Sequence, residues 1–221
     1  MRFLVLFLCT LLLAGFNLEA QNANTQGYEI KFQALGIDDS YLYLQAYYGE
    51  EAYIFDSAKV KGQKAVVFKN KKKVIPTGIY TLTDRFGNEY LDLVINKDRY
   101  FAVMGLTLDR LSTTAVVSGS EENSQFIEFQ KQMASAEALQ EKSPHSIDNT
   151  AKMFYESMPE SFLGHYVKAK YYINPALSKL DEKDTADASQ QYQQLIDHYF
   201  DYYTFDDARL LRAPIYLDLR N

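Results

Sequence analysis

Ser118–Met133, SGSEENSQFIEFQKQM, decides the fold, because two residue grammars meet inside it. Upstream of Gly119 apolar residues recur at every second position, the period of a half-buried strand. Downstream, Phe126, Phe129, Met133 and Ala136 recur three and four apart, the period of a helix. Ser120 supplies an N-cap oxygen, and Glu121 and Glu122 put acid at the positive end of the helix dipole. The helix is predicted to run to about Lys142, where Ser143-Pro144-His145 breaks it. The junction is expected to divide an α+β chain into a β domain at residues 28–119 and a helical module at residues 120–221, the module being expected to be incomplete at its C-terminus.

Working back from the junction, short alternating runs are separated by turn residues at close intervals. Tyr28–Leu35 puts Tyr28, Ile30, Phe32 and Ala34 on one face. Tyr41–Tyr48 puts Leu42, Leu44 and Ala46 on one side and Tyr41, Tyr43 and Tyr47 on the other. Further strands are predicted at Ala52–Val60, Ala65–Lys69, Ile79–Thr83, Glu89–Ile95, Arg99–Met104 and Thr113–Val117. Eight or nine such strands with no helical pattern between them predict an antiparallel, sandwich-like sheet pair.

Working forward, a second helix is predicted from Ile147 to about Ser157. Pro159 opens a third, with a stripe of Phe162, Leu163, Tyr166, Val167 and Tyr171. Asp181–Asp187 is a polar connection. Tyr192, Leu195, Ile196, Tyr199 and Tyr203 mark a fourth helix, with no internal repeat anywhere in the chain.

With 221 residues, 47% hydrophobic and 14% aromatic, the chain can fill a sizeable core. A net charge of −6 argues against a nucleic-acid partner, which selects a basic surface. The basic run Lys69–Lys73 reads as a solvated sheet edge. Arg2, the apolar run Phe3–Leu13 and the approach to Ala20 have the layout of a secretory signal at residues 1–20, followed by a tether at 21–27. Export with cleavage near Ala20 is expected, membrane contact being limited to the leader. Cleavage there removes Cys9, the one cysteine, and with it any disulfide, thiol nucleophile or thiolate metal site. No cofactor is implied.

Three constellations could carry chemistry. His198 and Asp201 lie three apart on the fourth helix, so they could share a metal or simply stand at a surface. Asp207, Arg209 and Arg212, after Asp206, fit an acid–base or anion-binding set, or a short helix with an acidic start and basic end, capped by Thr204 or Asp206. Tyr41, Tyr43 and Tyr47, among 18 tyrosines, fit a platform for a glycan or peptide, or a row packed on the helical half. There is no GxSxG, HExxH or phosphate-cradling glycine loop.

Two groups of segments resemble a known family. YEIKFQALGIDDSYLYLQAYYGEEAYIFDSAKV, PTGIY, LDLVINKDRYF and SGSEENSQFIEFQKQM resemble the domain of unknown function at the N-terminus of envelope thioredoxin-like proteins of diderm bacteria. PESFLGHYVKA and HYFDYYTFDDARLLRAP resemble the helical module that follows it in those proteins, with Ala213 where threonine is usual. The resemblance implies a leader, a β domain, a helical module and a C-terminal thioredoxin-like domain bearing Cys-x-x-Cys, the plan of periplasmic thiol–disulfide oxidoreductases. This sequence has no Cys-x-x-Cys. Thiol–disulfide exchange needs two sulfurs. The expectation is therefore a periplasmic, non-catalytic docking region for an envelope protein or peptide, a thioredoxin-like domain among the partners. The alternatives are an N-terminal fragment of an oxidoreductase, and a carbohydrate-binding or hydrolytic envelope module.

Overall fold

The structure, a computed structural model, describes residues 27–62, 64–139, 143, 145–171 and 207–215. Eight strands are present: β1 Tyr28–Leu35, β2 Tyr41–Tyr48, β3 Glu51–Lys59, β4 Ala65–Asn70, β5 Gly78–Thr83, β6 Glu89–Ile95, β7 Tyr100–Thr107 and β8 Val116–Ser118. They form two four-stranded sheets, ordered β4-β1-β7-β8 and β3-β2-β5-β6. The helices are α1 Leu111–Thr114, α2 Glu121–Ala138, α3 Ser146–Ser157 and α4 Phe162–Tyr171, with 3-10 turns at Leu108–Arg110 and Ala208–Arg212. The chain is α+β. The predicted fourth helix lies outside the described residues.

Alternation places two apolar surfaces on the second sheet. Leu42, Leu44, Tyr80, Leu82, Leu91 and Leu93 join Ile30, Phe32, Val66, Phe68 and Val103 of the first sheet in one buried cluster. Ile79 and Val94 belong to a second cluster, with Phe126, Phe129, Met133, Leu163, Tyr166 and Val167 of the helices. All six residues of β5 are consequently buried, Thr81 and Thr83 included.

Two expectations are corrected. The sheets are not wholly antiparallel: β1 runs parallel to β7, with Ile30 beside Phe101 and Phe32 beside Val103. Alternation reports which face a residue occupies and carries no strand direction, and the long connection between these strands permits either sense. The predicted strand Thr113–Val117 begins late. Leu111 is buried and Thr114 Oγ1 donates to the Arg110 carbonyl at 2.7 Å, so the chain makes a helical turn before β8.

Helix α2 starts where its cap dictates, with Ser120 Oγ accepting from Asn123 N–H at 3.2 Å. Its polar side chains then cover the edge of β6. Asn123 Nδ2 donates to the Val94 carbonyl, and Asn123 Oδ1 accepts the Val94 N–H. Gln130 repeats the pattern on both main-chain groups of Asp92 two turns later. The Asp84–Asn88 turn closes β5 onto β6 around a buried carboxylate. Burial alone would push Asp84 up, but bonds from Asn88, Tyr90 and Phe86 hold it below the ordinary carboxylate value.

Candidate functional site

Residues Asp207–Ile215, DARLLRAPI, form a strap that touches β2, β5 and α4. Leu210, Ala213 and Ile215 are buried in the helix-side cluster. At the start of the strap Asp207 accepts from Arg209 Nε and NH2, each at 2.6 Å, and pairs with His165 Nδ1 of α4 at 2.9 Å. Its carboxylate is nearly enclosed, and hydrogen bonds from Arg209 first, then from His165, hold its pKa down to about 2. The same Asp207 carboxylate caps the 3-10 turn by accepting Arg209 N–H at 3.1 Å. Arg209 sits 5.2 Å over the Phe162 ring. The charges of Asp207 and Arg209 are spent on one another, and the residue that caps the 3-10 turn is Asp207 rather than Thr204 or Asp206.

Further along, the strap meets the β2–β3 turn, where Gly49 N–H donates to the Leu211 carbonyl at 2.7 Å. It also lies against β5. A Cβ on Gly78 would stand 2.6 Å from the Arg212 carbonyl oxygen. These contacts set the Arg212 guanidinium 5.5 Å from the centre of the Tyr48 ring. Tyr48 is 54% exposed, so the pair faces solvent.

The tyrosine row divides. Tyr47 is buried, and Tyr41 is exposed with Tyr43 half-buried between solvent and sheet. The Tyr47 hydroxyl lies 2.6 Å from Thr81 Oγ1, which donates to Asp92 at 2.6 Å, while Gln45 Nε2 donates to Tyr47 at 3.2 Å. Because Thr81 spends its proton on Asp92, Tyr47 must donate to Thr81. Burial first pushes the Tyr47 hydroxyl up to about 12. Tyr47 therefore presents no ring to a ligand.

His198 and Asp201 lie outside the described residues, as do Thr204 and Asp206. Among the described residues, no three His, Cys, Asp or Glu side chains converge as a metal site. His165 is the partner that sequence reasoning missed, because a sequence separation of 42 from Asp207 leaves no local signal of contact. An open groove of about 420 Å³ lies between the start of α2 and the α3–α4 turn, lined by Lys97, Asp98, Glu121, Glu122 and Ser161 among others.

No family model and no curated protein matches this chain.

Proposed function

We propose that this chain is an exported, non-catalytic docking region, akin to the N-terminal part of a periplasmic thioredoxin-like protein, that holds an envelope protein partner against the tip of the β2–β3 hairpin. The observation that carries the reading is the Arg212–Tyr48 pair: an arginine stacked on an open tyrosine, fixed in place by backbone contacts to Gly49 and Gly78. Arginine and tyrosine are the side chains over-represented in the energetic centres of protein interfaces, and preorganisation reduces the ordering cost of binding. In this reading the two sheets form a sandwich-like domain and α2–α4 with the strap form a helical module. The strap then works as a bracket, transmitting the position of the helices to the hairpin tip. The neutralised Asp207 cluster supports a positioning role over an acid–base one.

The test is calorimetric titration of the purified chain with a thioredoxin-like domain bearing Cys-x-x-Cys from the same cell envelope. Binding weakened about tenfold by Tyr48→Ser or Arg212→Ser is expected. No heat of binding with the unmodified chain overturns the docking reading. In the insulin–dithiothreitol assay the chain alone is expected to leave the uncatalysed rate unchanged, and turnover overturns the non-catalytic reading.

A further inference from the structure

The four sheet edges are treated differently. The β6 edge is covered by the amides of Asn123 and Gln130. β8 is three residues long. β4 carries Lys69, runs into Lys71–Lys73, and touches β3 around the Lys61–Ala65 bridge. Each is a recognised way of discouraging another strand from pairing. β3 has none of them over Glu51–Ile54, and its one β-bulge, which leaves Phe55 without a partner on β2, comes after those four residues. It is nine residues long, and Glu51, Ala52, Tyr53 and Ile54 are all exposed, with no lysine or proline among them. Among the described residues no strand pairs with its outer side.

This open edge has a defined end and a charge at each end. Lys73 Nζ donates to the Phe55 carbonyl at 2.8 Å and lies 3.7 Å over the Phe55 ring, which closes the edge at residue 55. Glu51 stands at the opposite end. An edge that is acidic at one end and basic at the other is complementary to its own antiparallel copy.

We infer that β3 pairs antiparallel with β3 of a second copy of this chain, with Tyr53 on the two-fold axis, joining two four-stranded sheets into one of eight strands. Ala52 then faces Ile54 of the other copy, and each Glu51 meets the other copy's Lys73, giving two ion pairs per dimer. The main-chain bonds supply attraction and the end charges fix register and direction. Although Glu51 pairs across the hairpin with Tyr48, the two readings fail separately: the docking surface in heterologous binding by Tyr48→Ser or Arg212→Ser, and this inference in self-association.

Sedimentation equilibrium on the purified full-length gene product tests the dimer. The expected result is a concentration-dependent dimer whose dissociation constant rises about tenfold in Glu51→Lys, since both ion pairs become repulsive. Glu51 is exposed beside a turn, so that variant keeps its thermal unfolding profile. The double exchange Glu51→Lys with Lys73→Glu recovers the dimer, because opposite charges again face each other. A monomer at every concentration, or a dimer whose dissociation constant is unmoved by Glu51→Lys, overturns the inference.

Discussion

The side-chain amide of Asn123 closes on both main-chain groups of Val94, donating to its carbonyl at 2.8 Å and accepting its N–H at 2.9 Å. A single helical side chain thus takes the place of a neighbouring strand on β6, and Gln130 does the same for Asp92. Asn123 is fully buried, so water cannot replace it. Asn123→Leu is expected to leave one donor and one acceptor unpaired and to lower stability by about 2 kcal/mol or more in urea unfolding. Asn123→Asp, which keeps an acceptor for the Val94 N–H while losing the donor to its carbonyl, is also expected to be less stable than the unmodified chain.

The strap should detach in acid. Asp207 titrates near 2 in the folded chain against an ordinary 3.8, so the folded state binds its proton less readily than the unfolded state. Its contribution is complete above the unfolded value and is lost as pH falls through the folded one, between about pH 4 and pH 2. That contribution is worth about 2 kcal/mol. Asp207→Asn is expected to remove this step from a pH series of unfolding free energies.

At the alkaline end the sign is opposite. Burial raises Tyr47 to about 12, so the unfolded state ionises first and stability falls as pH rises from about 10 to 12. Tyr47→Phe is expected to flatten this loss by one group. It also costs about 1 kcal/mol at neutral pH through the Thr81 bond, measured by chemical denaturation.

Gly78→Ala tests the strap's seat. The added methyl would stand 2.6 Å from the Arg212 carbonyl oxygen and 2.7 Å from its Cβ, so strap and strand must separate. A loss of about 1–3 kcal/mol is expected. Limited proteolysis should then cut within residues 207–215 faster than in the unmodified chain.

By itself the sequence determined the local elements, because alternation, helical spacing and caps are set by neighbours in the chain. Ser120 before Glu121-Glu122 marks the start of α2, and the period-two runs mark β1, β2 and β6. Tyr41, Tyr43 and Tyr47 were legible as a row, yet alternation could not show that Tyr47 is sealed while Tyr41 stays open. Tertiary structure alone decided that β1 lies parallel to β7, that His165 reaches Asp207, and that Asn123 finds Val94. Each of those partners lies dozens of residues away. Their meeting depends on which apolar faces pack together, and no local pattern encodes that choice.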